Sequence, residues 1–258
     1  QTITSYNTTV SSDAISNGSD IGVTWAVTSG TLPTGFTLNS GTGVVSGKSN
    51  AVQSTTVTIT GTSSHGPSQT ATKQITIQSE PALTLSCSQS ILTYKNNPTE
   101  KTAVMTVSDS STKSWSVSSF SGASITNGTL KVKNSTAVGM NQTVTVTCQT
   151  AYGQSKTVDV SVSVEDTLSI SGDSSLNLLA GTEGSTTSFT VTGGSGNVLQ
   201  ASTTDSGLTV RMSDGKLYAS DNSPDKGLSA TVTVTSAAGQ TASKVVTIDV
   251  FNQLIFNT

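Results

Sequence analysis

Thr55-Thr56-Val57-Thr58-Ile59-Thr60 alternates hydroxyl and branched apolar side chains, and it returns as Gln142-Thr143-Val144-Thr145-Val146-Thr147 and as Ala230-Thr231-Val232-Thr233-Val234-Thr235. Val57 to Val144 is 87 residues and Val144 to Val232 is 88. A period-2 alternation of this kind, rich in Val, Ile and Thr, is what a strand with one buried and one solvated face requires. A glycine follows each run, at Gly66, Gly153 and Gly239, and each turn leads into a second alternating run, Lys73 to Ile77, Thr157 to Val164 and Lys244 to Val250. Each copy is therefore expected to end in a β-hairpin, and a repeat of about 87 residues dictates the architecture.

The start of each copy repeats as well. Glu80-Pro81-Ala82-Leu83-Thr84-Leu85, Asp166-Thr167-Leu168-Ser169-Ile170 and Asn252-Gln253-Leu254-Ile255-Phe256 place a leucine 85 and then 86 residues apart. The reading is an all-β chain of tandem antiparallel sandwiches: module 1 over residues 1–79, module 2 over 80–165, module 3 over 166–251, and the start of a further repeat at 252–258. Module 1 lacks a matching full first strand, which suggests a piece of a longer array. Short connectors predict closely coupled neighbours. No stripe of period 3.6 extends over ten residues, so helices are not expected.

Composition narrows the function classes. Of 258 residues, 45 are Ser and 47 Thr, while only 10% are charged. Twelve basic and fifteen acidic side chains leave a net charge of −3 with a single arginine, Arg211. No electrostatic footprint for nucleic acid results. No apolar run reaches the 18 or so residues of a membrane span, so no membrane insertion is expected. Sequons at Asn7, Asn17, Asn127, Asn134 and Asn141 are what a Ser/Thr-rich chain produces by chance.

Within module 1, Thr31-Leu32-Pro33-Thr34-Gly35-Phe36-Thr37-Leu38-Asn39-Ser40-Gly41-Thr42-Gly43-Val44-Val45-Ser46-Gly47 resembles the "putative Ig" or cadherin-like bacterial surface repeat, with Phe36 and Val45 at positions where that family places Leu and Ile. The resemblance covers most of residues 24–62, and modules 2 and 3 keep only faint echoes. It implies Ig-like sandwiches in tandem on secreted or surface-anchored proteins, often adhesins, and brings no catalytic residue. Expected partners are the neighbouring repeats, a host-cell protein or glycan receptor, or homotypic contacts. Two other classes remain open: a glycan-binding module using Tyr152 or Tyr218, and a decoration or lattice protein of a virion or surface layer.

Side chains that carry chemistry are few. Cys87 and Cys148 share the parity of inward-facing neighbours, so a bridge between them is expected, closing about 60 residues and constraining the unfolded chain by roughly 4 kcal/mol. Two buried free thiols are the alternative. Trp115 between them resembles the Cys-Trp-Cys order of antibody-type domains, although the run Thr102 to Val107 puts Cys87 one strand too early. The single histidine, His65, cannot alone build a zinc site or a triad. Gly172-Asp173-Ser174-Ser175 reads as a polar turn, and Gly193-Gly194-Ser195-Gly196 as a flexible loop, so an enzyme is not expected. Glu80 at the first junction, and Glu165, Asp166 and Asp173 near the second, are the candidate ligands for junction calcium. They are sparse for a hard cation, so no cofactor is expected. Rows of hydroxyls read as solvated faces rather than an ice-binding surface.

Overall fold

The computed structural model describes residues 1–15, 22–64, 69–108, 111–252 and 254, and among these the chain forms twenty-five strands and no helix. The repeated Val/Thr runs become the long hairpins. Gln53–Ser63 pairs antiparallel with Thr70–Ser79, Gly139–Thr150 with Ser155–Glu165, and Leu228–Thr235 with Thr241–Phe251. The apolar positions of these runs, Val57, Ile59, Val144, Val146, Val232 and Val234, are all fully buried. Burial of one face per strand is what the alternation encodes, and the solvated face keeps the threonines.

Each hairpin is the centre of a four-stranded sheet. In module 1 it is flanked by Thr2–Ser5 and Val23–Ser29, in module 2 by Ile91–Tyr94 and Lys113–Val117, and in module 3 by Ser175–Leu179 and Val198–Ser202. The flanking strand on the N-terminal side pairs parallel to the last strand of its module, with Ile3 beside Ile77, Ile91 beside Val162, and Leu176 beside Ile248. A three-stranded sheet faces each of these: Val10–Ser11, Val45–Gly47 and Phe36–Leu38; Lys101–Val104, Thr129–Val132 and Ala123–Thr126; Thr182–Ser185, Lys216–Asp221 and Thr209–Ser213. Three separate apolar clusters fill the sandwiches, around Trp25 and Ile59, around Leu130 and Val146, and around Leu217 and Ile248.

The repeated leucine segments are not full first strands. Leu85–Ser86 is a two-residue strand paired with Thr106–Val107, and Ser169–Ser171 pairs with Thr190–Thr192. The chain then crosses to the four-stranded sheet to make the parallel edge. Leu254 is exposed, and Gln253 and residues 255–258, the expected start of a further repeat, lie outside the described residues.

The family-like motif folds as a tight hairpin of Phe36–Leu38 and Val45–Gly47. Asn39 Oδ1 accepts from the backbone amides of Gly41 and Thr42 at 2.9 and 3.1 Å, closing the turn. Gly35 sits at φ 90°, where a β-carbon would collide with the carbonyl of Lys48, so this position requires glycine. Asn7, Asn127, Asn134 and Asn141 also take left-handed turn conformations, at φ 61°, 47°, 50° and 52°, while Asn17 is outside the described residues.

The bridge expected between Cys87 and Cys148 is absent, and both cysteines are free thiols. Cys148 is buried on the central strand Gly139–Thr150, directly opposite Trp115. Cys87 follows the short strand Leu85–Ser86 at the margin of the core, half-buried, with its thiol turned to the carbonyl of Gln89 at 3.6 Å. Cys87 therefore lies on the first segment of the sandwich rather than on the strand that would face Cys148 across the core.

Candidate functional site: the two module junctions

Where one sandwich gives way to the next, a glutamate turns inward. Glu80 directly follows the last strand of module 1, and its amide donates to the Ser5 carbonyl at 3.1 Å. Its side chain is 0% exposed and is taken up by module 2. Oε2 accepts from the Ser111 amide at 3.1 Å and the Ser111 hydroxyl at 2.5 Å; Oε1 accepts from the Thr150 hydroxyl at 2.5 Å and from Gln154 Nε2 at 2.8 Å. Thr150 and Gln154 bracket the turn of module 2's long hairpin, which is closed by the Thr150 amide donating to the Gln154 carbonyl at 2.9 Å. Gln154 also holds the connector, donating to the Pro81 carbonyl at 2.9 Å and accepting from the Leu83 amide at 2.8 Å.

The second junction repeats this arrangement with one donor moved, its backbone amide coming from Ala238 in the hairpin turn instead of from the serine. Glu165, 3% exposed, accepts at Oε1 from the Ser195 hydroxyl at 2.5 Å and the Ala238 amide at 3.2 Å. At Oε2 it accepts from the Ser236 hydroxyl at 2.5 Å and from Gln240 Nε2 at 3.2 Å. Gln240 donates to the Asp166 carbonyl at 2.9 Å and accepts from the Leu168 amide at 3.1 Å. Leu83 and Leu168 are thereby buried to 2% and 7% exposure. A buried carboxylate is tolerated only when its oxygens are saturated by donors, and each of these has four.

The electrostatics follow from that saturation. Burial works to raise the pKa of both carboxyls, but the bonds from Gln154, Ser111 and Thr150 on Glu80, and from Ser195, Ser236, Gln240 and Ala238 on Glu165, outweigh it and hold both below the ordinary value of 4.5. The first junction has an additional tie: Tyr6 of module 1 donates its phenol proton to the Tyr152 carbonyl of module 2 at 2.5 Å. Burial, and then the charge of Glu80, push the Tyr6 pKa up. The second has Lys95 to Asp166 at 3.6 Å, a surface pair.

The candidate calcium ligands do not converge. Glu80 and Glu165 point into hairpin turns, Asp166 faces Lys95, and Asp173 accepts from the Thr187 amide and hydroxyl at 2.7 and 3.0 Å, which lowers its pKa. Among the described residues no group of three or more His, Cys, Asp and Glu is arranged to hold a metal ion. His65 lies outside the described residues. Ser174, in the polar turn, accepts from Lys244 Nζ at 2.9 Å. Tyr218 has Arg211 over its ring at 4.1 Å, with that guanidinium bidentate to Glu183, so the ring carries a cation rather than an open stacking face.

Sequence reasoning weighed the two glutamates as calcium ligands against solvated turn residues, favoured the latter, and missed the donors that bury them. Ser195 sits in the glycine-rich stretch read as a flexible loop. A signal was available: Thr150 to Ser236 and Gln154 to Gln240 are both 86 residues apart, against 85 for Glu80 to Glu165. Module 1 ends its hairpin in the same way, with the Ser63 amide donating to the Gln69 carbonyl at 3.0 Å. The third position of the glutamate series, 86 residues after Glu165, is Phe251, which is 38% exposed beside Leu179.

Comparison with known proteins agrees with this architecture. Residues 1–78 match the family model of the putative Ig domain. An I-band fragment of titin superposes with a TM-score of 0.53 at 11% identity, covering 97% of this chain and 95% of that chain. A three-Ig structure of titin domains, an E-to-A mutated variant, superposes with a TM-score of 0.51 at 13% identity, covering 98% and 95%. No curated protein matches the chain. The molecule is a tandem array of Ig-like β-sandwiches, and its first module is similar to the putative Ig domain.

Proposed function

We propose that this chain is a stiff extracellular spacer within a surface adhesin, holding a binding element away from the cell and so serving attachment through reach. The observation that carries this reading is the twofold occurrence of the same buried glutamate latch, one at each junction. A freely jointed array has no use for a charge buried between modules, whereas a spacer gains from joints that resist bending. The long hairpin strands of 8 to 12 residues give a reach of roughly 35–45 Å per module at about 3.3 Å per residue plus turns. The low share of charge, 10% of residues, and the abundance of hydroxyl side chains suit a surface meant to bind little along its length.

Small-angle X-ray scattering of the chain in neutral buffer tests this. A spacer gives a pair-distance distribution fitted by one elongated conformer with regularly spaced modules. A profile that demands a broad ensemble of bent forms, or a compact particle, would remove the spacer reading. Sedimentation that shows self-assembly into a lattice would point to the decoration role instead.

A further inference from the structure

The latches also set how the joints respond to acid. We propose that both junctions are acid-released joints: protonation of Glu80 and Glu165 frees each module from the next while the sandwiches themselves stay folded. This deepens the spacer reading and rests on it.

The geometry is the ground. Each carboxylate is enclosed, and the groups around it are amides and hydroxyls placed as donors: Ser111, Thr150 and Gln154 on one side, Ser195, Ser236, Ala238 and Gln240 on the other. The amide hydrogens of Ser111, Ala238 and the two glutamines cannot be turned into acceptors. A carboxylic acid placed there must aim its proton at an amide hydrogen or turn a serine or threonine hydroxyl from donor to acceptor, so at least one of the four bonds to the carboxyl is lost. Water outside offers the protonated glutamate both donors and acceptors, so release becomes the better state.

The charged surroundings do not oppose this. Tyr6 is neutral and already bonded to Tyr152. Lys156 follows the module 2 turn on the strand Ser155–Glu165, Lys113 stands opposite Thr150 on the adjoining strand Lys113–Val117, and Lys244 follows the module 3 turn. Lys95 is engaged with Asp166 at the surface. Asp109, two residues before Ser111, lies outside the described residues. The apolar clusters pack through aliphatic, aromatic and sulfur-bearing side chains, and the one further buried carboxylate among the described residues, Asp221 of module 3, accepts from the Ser223 amide at 2.8 Å.

Because the folded carboxyls sit below their ordinary value of 4.5, the latch is fully present above that value and is lost as pH falls through the lowered one. The full chain is followed by small-angle scattering and far-UV circular dichroism from neutral pH to well below that ordinary value. Expected is a passage from one elongated conformer to a flexible chain of modules, with the β spectrum unchanged, and its reversal on neutralising. The double variant Glu80→Gln with Glu165→Gln should be flexible already at neutral pH and insensitive to acid. The single-donor variants Thr150→Val and Ser236→Ala, which leave the carboxylates in place, should move the transition to higher pH.

A wild-type chain that is elongated in neutral buffer and remains so in acid would overturn the acid release while leaving the spacer intact. Loss of the β spectrum together with the shape change would overturn it too. A chain flexible at every pH would instead remove the spacer reading.

Discussion

Gly61 faces Trp25 across the sheet of module 1, and a β-carbon placed on it would lie 2.5 Å from the indole ring. The ring is 3% exposed and packed against Gly43 as well, so neither backbone nor side chain has room to yield. Gly61→Ala should cost module 1 about 1–3 kcal/mol by overpacking, visible as an earlier Trp25 fluorescence transition in urea, with the transition reported by Trp115 of module 2 unaffected. The cysteines make the second prediction at this scale. Burial raises the thiol pKa of Cys148, with Lys113 opposing it, and the side chain is inaccessible. Native alkylation should label Cys87 and spare Cys148, whereas alkylation in denaturant without reductant should label both. One label under denaturing conditions is impossible if both are free, and no label would restore the bridge. Parity along the strands correctly placed Cys148 in the core. It failed to show that Cys87 sits on a two-residue segment beside the core, because pairing between distant strands leaves no mark on local alternation.

At the scale of the element, the long hairpins were legible because their alternation is strict and each buries a full face. The latch was not, since its four donors come from segments 31 to 74 residues away from Glu80. Glu80→Ala leaves the Ser111 amide, two hydroxyls and the Gln154 carboxamide facing an empty space. Removing one side of such a buried network should cost about 2–4 kcal/mol of junction stability. The measurement is hydrogen exchange: protection at Leu83 and at the Thr150 to Gln154 turn should fall, while the strand amides of Val144 and Val146 keep theirs. Equal loss across module 2 would show that Glu80 supports the whole sandwich instead of the joint. The same substitution at Glu165 should expose Leu168 and the Ser236 to Gln240 turn in parallel.

For the whole molecule, the nature of the joint contacts decides how the array responds to its medium. The bonds that tie the modules are buried or part-buried, and among the described residues the Lys95 to Asp166 pair is the one ion pair between modules open to screening. Molar salt, or Asp166→Ala, should therefore leave the scattering profile unchanged, in contrast to the glutamate variants. An array that collapses or becomes flexible in salt would mean that long-range charge, not the latch, keeps the modules aligned.

Three all-β modules of similar length, their inward-facing residues and their turn positions are determined by the chain alone, because alternation of apolar and hydroxyl side chains and the placing of glycine and asparagine act over a few neighbouring residues. Whether Glu80 and Glu165 would bind a cation, sit in solvent or be buried was open until distant segments were brought together. Only the closed sandwiches set Ser111, Thr150 and Gln154, and their counterparts in module 3, around an inward-turned carboxylate, since a buried charge depends on every donor within reach and those donors are gathered by the tertiary fold.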